Sequence, residues 1–439
     1  MSLRDRKTLD IITMGCSKNL VDTERLLKIF SDFGYVMRHN PEDVAADEVI
    51  INTCGFIGDA KEESINMILE CCKAKQSGKV GKVSVMGCLS QRYADELPSE
   101  IPEVDRWYGK FDWKKIIEDI TERNDSVSTE GRMVTTKPYA YIKISEGCNR
   151  FCAFCAIPYI TGHHVSRPLE KITKEVKELV RQGIHEFNVI AQDLSSYGKD
   201  LYGVPTLARL VDEMAQIEGV KRIRLHYAYP SDFPYDLLPV MARHGNVCKY
   251  LDIALQHISD KVLSNMRRHI SSHETLQLLE RIRKEVPGIH IRTTLMVGFP
   301  GEGESEFEEL LEFVRTQKFE RMGAFAYCEE EDTFAAKHFK DFITEEVKQE
   351  RLDQLMALQE QIALHHNESK IGRTFEILVD SVTPEHYIGR TEFDSPEVDP
   401  EVIIERKNCP VELETGDYCQ VKITKALPFE LFGEVVQNG

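Results

Sequence analysis

The sequence predicts an α/β chain in three units: a parallel-sheet unit over residues 1–130, a β/α barrel or most of one over 135–368, and a small β-barrel over 371–439. Three observations carry that reading. Short β-branched runs alternate with amphipathic helical stretches through the first two units, the pattern of parallel strands joined by crossover helices. A polar stretch, TERNDSVSTEGRMVTTKP, interrupts the alternation and reads as a linker. Beyond residue 370 the helical period stops and short strand-like runs follow, which suits a small closed barrel.

In the first unit, LDIITMGC reads as a strand and a turn, followed by a helix from about Val21 to Phe33. EVIINTCGF repeats the arrangement ahead of the helical AKEESINMILECCKAK, and KVSVMGCLSQRY repeats it again. Each run ends in a turn that holds one cysteine, Cys16, Cys54 or Cys88, with Gly15, Gly55 or Gly87 beside it. Ligands gather beyond the carboxyl ends of strands in open parallel sheets, so these three thiols are expected to converge on one edge. In the second unit AYIKISEG, EFNVIAQD, RIRLHYAYP, YLDIALQHIS, HIRTTLMVGFPGE and RMGAFAY read as strands, with helices such as EKITKEVKELVRQG and HETLQLLERIRKEV between them. Residues 345–368 read as a long amphipathic helix with apolar positions at Leu352, Leu355, Met356 and Ile362. In the tail TFEILVD, HYIGRTEF, EVIIER, YCQVKITKAL and LFGEVVQ read as strands.

The chain has 439 residues, 42% of them hydrophobic, enough for more than one core. No apolar run approaches the roughly 18 residues of a membrane span, and the first residues lack the pattern of a secretory signal. The expectation is a cytoplasmic protein with no membrane partner. Disulfides are rare in that compartment, so the twelve cysteines point to metal or redox chemistry. Cys71 and Cys72 fall mid-helix and Cys248, Cys328, Cys409 and Cys419 are scattered, so these six read as structural. The formal net charge of −18 repels nucleic acid and attracts basic protein; solubility alone is the plainer account of it.

EGCNRFCAFCAIP, Glu146–Pro158, places Cys148, Cys152 and Cys155 in a C-x3-C-x2-C spacing with Phe154 before the last. Structural zinc takes four protein ligands, and the loop offers three, although His163 and His164 keep zinc open. Three thiolates on a 4Fe–4S cluster leave one iron free for a substrate-like molecule. The loop follows the first barrel strand, where barrel active sites lie.

This loop, with its aromatic residue before the third cysteine, resembles that of the radical S-adenosylmethionine family. Along its whole length the chain resembles the methylthiotransferases within that family, through MGCSKNLVDTE, INTCGFIGDAKEES, VMGCLSQRY and KISEGCNRFCAFCAIPYITGHHVSRP. The resemblance implies a Rossmann-like N-terminal domain, a radical SAM (β/α) barrel and a TRAM-like small antiparallel β-barrel. It implies two 4Fe–4S clusters. One, on Cys148, Cys152 and Cys155, binds S-adenosylmethionine and when reduced cleaves it to a 5′-deoxyadenosyl radical. The other, auxiliary, on Cys16, Cys54 and Cys88, carries sulfide or polysulfide. An external reductant, such as a flavodoxin-type protein, is implied as well. Gln192 and Asp193 at one strand end, Gln256 at another, and Phe154 are then candidate S-adenosylmethionine contacts. Arg292 lies in an apolar strand and needs a buried anionic partner, for which the cofactor carboxylate is one candidate. The arginines of Met266–Arg268 are candidate carboxylate clamps, and GFPGE is a candidate close approach of backbone to the cofactor.

Two branches fit. The RimO type modifies an aspartate β-carbon on protein twelve of the small ribosomal subunit, and the MiaB type modifies adenosine in transfer RNA. GCSKNLVDTE, with Ser17 where that branch usually has proline, NTCGFI, RLHYAYP and YLDIALQHIS resemble the first. The tail adds a physical discriminator: residues 371–439 hold six Lys/Arg against fourteen Asp/Glu, a net −8. A surface that tracks phosphate is basic, so nucleic acid is not the expected substrate and a basic ribosomal protein, free or on the ribosome, is. A non-catalytic iron–sulfur or zinc adaptor of the ribosome is the reading from another class.

Overall fold

The computed structural model describes residues 7–123 and 131–436; residues 124–130, inside the expected linker, lie outside the described residues. The first sheet holds β1 (Thr8–Thr13), β2 (Val36–His39), β3 (Glu48–Thr53), β4 (Lys82–Gly87) and β5 (Arg106–Trp107) in the order β2-β1-β3-β4-β5. Every neighbouring pair is parallel. β3 is buried along its whole length, as a parallel strand covered on both faces must be. β2 and β5 escape a sequence reading because one is half exposed and the other is two residues long. The first helix spans Ser17–Asp32 and so begins ahead of Val21. Cys16, extended, is its cap residue, and Asn19 Nδ2 pins the first turn by donating to Met14 O and Thr53 O.

β6 (Tyr139–Lys143) opens the second unit, followed by a small antiparallel pair, β7 (Ser145–Glu146) and β8 (Val165–Ser166). The main sheet continues with β9 (Glu186–Ile190), β10 (Arg222–Ala228), β11 (Val247–Ile253), β12 (His290–Val297) and β13 (Arg321–Ala326). Its order is β13-β12-β11-β10-β9-β6, parallel throughout. The six expected strands all form, and β6 does not meet β13, so this is an open part-barrel. Helices Leu169–Arg181, Leu207–Ala215, Ser272–Glu285 and Glu304–Gln317 pack their apolar stripes on it.

Helix Glu345–Glu368 has the expected bounds but not the expected face. Its buried line is Lys348, Arg351, Leu355, Gln359, Ala363 and Asn367, with Leu352, Met356 and Ile362 only half-buried. The polar members bond the chain they cover. Arg351 donates to Glu302, Gln359 to Phe319 O, and Asn367 to Leu427 O and Pro428 O. A buried donor is stable when it finds an acceptor.

The tail closes into a barrel of β14 (Thr374–Val382), β15 (His386–Arg390), β16 (Glu401–Glu405), β17 (Tyr418–Ala426) and β18 (Glu430–Val435). The expected antiparallel barrel forms, with one parallel pair, β16 and β18. A ring with an odd number of strands cannot alternate direction all the way round, so one like-directed pair is forced.

The two ends of the part-barrel meet different units. At the amino starts of its strands the segment after β15 docks. Glu186, first in β9, takes Arg224 at 2.6 Å and Arg390 at 2.7 Å. Arg321, first in β13, takes Asp394 at 2.5 Å. At the carboxyl ends the N-terminal unit docks. Lys18 lies 3.4 Å from the Tyr227 ring centroid, and Arg92 and Lys61 reach Glu330 at 2.9 and 3.0 Å. The described part of the linker is packed rather than loose: buried Arg132 pairs with Glu24 at 3.0 Å, and Thr135 N donates to Glu24 Oε1.

Candidate functional site

Cys16, Cys54 and Cys88 follow β1, β3 and β4, and the parallel order brings their turns side by side. Two glycines allow the approach. A Cβ on Gly15, which has φ +82°, would stand 2.6 Å from Cys54 Cβ and 2.8 Å from its sulfur. A Cβ on Gly55 would stand 2.7 Å from the backbone of Leu89, next to Cys88. Ser64 Oγ braces the middle turn, accepting from Cys54 N and donating to Cys54 O. Burial pushes the Cys54 thiol up and the Cys88 thiol up to about 12. Both are neutral thiols in the bare chain, because a thiolate out of water needs a cation beside it.

The loop trio follows β6. Its backbone is tied at its centre: Ala153 N donates to Met266 O, Ala335 N to Ala153 O, and Cys155 N to Cys152 O. Arg150 N donates to Cys148 Sγ at 3.5 Å, and Arg268 Nη1 to Cys152 Sγ at 3.2 Å. Tyr229 Oη lies 3.4 Å from the same sulfur. Arg268 is 3% exposed, bonds Ala254 O and stacks over Tyr229 with 4.0 Å to the ring centroid. Burial pushes Cys148 up to about 12 and Cys155 upward as well.

The two trios stand across one seam. Cys88 packs against Ala156 and Ile160, just past Cys155, where helix Cys88–Arg92 meets helix Ile157–Thr161. Beside this contact lies a buried charge network that sequence reasoning missed. Lys110 Nζ donates to Asn19 Oδ1 and Asp22 Oδ2 and is 3.7 Å from Glu146. Lys143 bonds both Asp22 and Glu146, and Cys88 Sγ donates to Asn19 Oδ1 at 3.7 Å. Burial alone would lower Lys110, but Asp22 and Glu146 hold it firmly protonated. Burial alone would raise Glu146, but Lys143 and Lys110 hold it down at about 2. The signal was present in the sequence only as a charged residue at the edge of an apolar run, which has no period to read.

The remaining candidates divide. Gln192 Nε2 donates to Glu146, while its Oε1 is buried with no hydrogen-bond partner. Gln256 likewise has a buried Oε1 without a partner, on a residue at φ +73° clasped by Thr294 O and Met296 N. Both amides keep an acceptor free at the carboxyl ends of strands. Asp193 is already engaged, by Arg150 at 2.7 Å, Ser195 N and Ser196 Oγ, and so serves as a turn cap. Phe154 meets Phe299 edge to face at 6.2 Å and buttresses the loop. Arg292 is a correction: it sits at the amino end of the sheet, 3.6 Å from Asp252 and 3.5 Å from Asp399, so those carboxylates are its anionic partners. The GFPGE glycine Gly298 makes its close approach to Lys348, not to an open cleft, and Arg267 lies over Phe334. Cys328 is exposed and so is not a core residue.

Both trios fit iron–sulfur clusters by their chemistry. Each presents three thiols with cationic or N–H donors beside them. Among the described residues no three His, Cys, Asp or Glu side chains close around a point as a single ion requires, whereas a cluster takes its thiolates from around a larger body. No described helix is long and apolar enough to cross a membrane.

Comparison with known proteins follows the same three units. The radical SAM superfamily matches residues 142–314, Uncharacterized protein family UPF0004 matches 8–109, and the TRAM domain matches 371–436. A relative from Phocaeicola vulgatus, "Ribosomal protein uS12 methylthiotransferase RimO", is 56% identical over 432 residues, covering 98% of this chain and 100% of the relative. One of the same name from Flavobacterium johnsoniae is 46% identical over 437 residues, covering 99% of each. Among solved structures, the radical S-adenosylmethionine methyltransferase TsrM from Kitasatospora setae, with cobalamin and a 4Fe–4S cluster bound, aligns with a TM-score of 0.56 at 14% identity. It covers 75% of this chain and 77% of that one, a likeness of fold.

Proposed function

The chain belongs to the RimO family of radical SAM methylthiotransferases, and from that membership we propose that it methylthiolates the β-carbon of an aspartate in ribosomal protein uS12. Two S-adenosylmethionine molecules serve each product, one as methyl donor and one as radical source. Cys148, Cys152 and Cys155 hold the cluster that binds S-adenosylmethionine, and Cys16, Cys54 and Cys88 hold a second, sulfur-bearing cluster. The single observation that carries this reading is the meeting of the two trios at one seam, Cys88 against the helix that follows Cys155.

When bound, these groups supply a carbon-centred radical and a sulfur to be inserted, chemistry no side chain offers. The chain's own residues do the rest. Arg268 and the Arg150 amide donate to sulfurs of the loop trio and orient them. Gln256 Oε1 and Gln192 Oε1 are free acceptors for the ammonium or hydroxyl groups of S-adenosylmethionine. Lys110 sets a buried positive charge beside Cys88 and Cys16, which offsets the anionic charge gathered there. The docked N-terminal unit packs over the strand ends and buries Cys54, Cys88 and Cys152. The acidic tail, net −8, attracts a basic protein substrate. An external reductant of the flavodoxin type and a cytoplasmic location complete the proposal.

The test is anaerobic reconstitution with iron and sulfide, reduction, and incubation with uS12 or with transfer RNA. Expected is a mass gain of one methylthio group in place of hydrogen on a uS12 aspartate, with 5′-deoxyadenosine formed. Gain on the RNA alone, or zinc without sulfide in the loaded protein, refutes the reading.

A further inference from the structure

We propose that the cavity between helix Ser17–Asp32 and helix Leu169–Arg181 is a binding site for a phosphate-bearing small molecule, distinct from both cysteine trios. Its volume is about 680 Å³, the size of a site for a small organic ligand. None of the six site cysteines is among its described lining residues.

The charges around it do not balance. Three guanidiniums, Arg25, Arg132 and Arg167, share two carboxylates. Arg132 takes Glu24 at 3.0 Å and Glu175 at 3.1 Å, and Arg167 takes Glu175 at 2.5 Å. Arg25 is left with a 3.8 Å approach to Glu175 and makes no hydrogen bond among the described residues. Its side chain is 23% exposed. Burial and the nearby Arg167 push its pKa down, against Glu175 and Asp22, which raise it. The inner wall does not supply one. Asp22 and Glu146 are both taken by Lys143, and both also face Lys110. Ser145 Oγ, on a residue 1% exposed, lines the same cavity with no hydrogen-bond partner.

A guanidinium with only a long, shared approach to one carboxylate and a hydroxyl with no partner, facing one space, call for an oxyanion, because burying either alone is costly. Phosphate fits the planar guanidinium fork in a bidentate manner, which hydrosulfide does not. Phe111, 49% exposed, and Trp113 also line the cavity and offer flat apolar surface for a ring. The ligand class is therefore a nucleotide-like phosphate, in a chain whose overall charge of −18 would otherwise repel it.

The experiment is calorimetric titration of the full, reconstituted chain with inorganic pyrophosphate and then with adenosine 5′-diphosphate. S-adenosylmethionine is kept saturating so that its own site is filled. Expected is one-to-one binding of both, tighter for the diphosphate, and weaker at higher salt. Arg25→Gln weakens it by about tenfold, the effect of losing roughly 1.4 kcal/mol. Lys171→Gln, an exposed residue of the lining, weakens it a few-fold in a chain that folds normally. No heat in the wild type, or wild-type affinity in both variants, overturns the site. Equal affinity for pyrophosphate and the nucleotide overturns the role of the aromatic pair. None of these readings depends on sulfur insertion, so the site stands or falls apart from the proposed reaction.

Discussion

The two ends of the part-barrel differ in the polar groups they bury. At the amino ends, against the tail, the buried carboxylates are paired. Glu186 is shared by Arg224 and Arg390, Asp380 takes Arg390 at 2.6 Å, Asp394 takes Arg321, and Tyr250 donates to Asp399 at 2.8 Å. At the carboxyl ends, against the N-terminal unit, six site thiols carry no disulfide, and Gln192 and Gln256 keep unmatched oxygens. A closed network holds units together. An open one is incomplete until something binds, and the cost of leaving it open is the signature of a site. Parallel β/α barrels place chemistry at one end and stability at the other, and here the chain's two added domains divide along that line.

The sharpest way to break the comparison is within the open end. Cys152→Ala abolishes 5′-deoxyadenosine formation altogether. Cys88→Ala removes about half of the bound iron, spares 5′-deoxyadenosine and abolishes methylthiolation. Iron analysis and product chromatography read both outcomes, and joint loss of both products in Cys88→Ala means the trios do not act separately. At the closed end the expected change is in stability instead. Glu186→Gln strands Arg224, whose side chain has 0% exposure, while Arg390 keeps Asp380, and costs roughly 3–5 kcal/mol, as the breaking of buried pairs does. Denaturant unfolding measures it, and the folded fraction still forms 5′-deoxyadenosine.

A smaller effect separates the two free amides from the capped aspartate. Gln256→Ala weakens S-adenosylmethionine binding by about tenfold, seen by equilibrium dialysis, and leaves the melting temperature nearly unchanged. Asp193→Ala lowers the melting temperature first, since it releases Arg150 and a turn. The smallest effect is with acid. Burial alone would raise Glu186 and Asp394, but Arg224 and Arg390 hold the first, and Arg321 the second, well below ordinary carboxyl values. Their contribution is present above the unfolded values of 4.5 and 3.8 and is lost as pH falls below them. Stability of the wild type therefore declines from about pH 4.5 downward, and Asp394→Asn flattens the slope. A flat wild-type profile across that range contradicts a closed seam.

Much of the site was legible because it is local. Cys148, Cys152 and Cys155 lie in one loop, and Cys16, Cys54 and Cys88 each end a β-branched run, so periodicity alone puts them at strand ends. Arg292 misled because a lone cation in an apolar strand announces that an anion is near without saying which. Asp252 is a strand away, and Asp399 belongs to another unit. Lys110, Asp22 and Glu146 were invisible for the same reason: Lys110 is 88 positions from Asp22 and 36 from Glu146, and charged pairs leave no period.

The sequence by itself determined the elements: three parallel strand–helix repeats, six barrel strands, five tail strands, and which thiols stand at their ends. Those follow from side-chain spacing and backbone preference, which act over a few residues. Only the tertiary structure decided that the two trios share a seam, that the tail seals the opposite end, that one tail pair runs parallel, and that Arg25 must share Glu175 with two other guanidiniums. Such facts depend on which distant charges and faces meet once the chain is closed, and burial makes each pairing cost or stabilise according to neighbours no local pattern records.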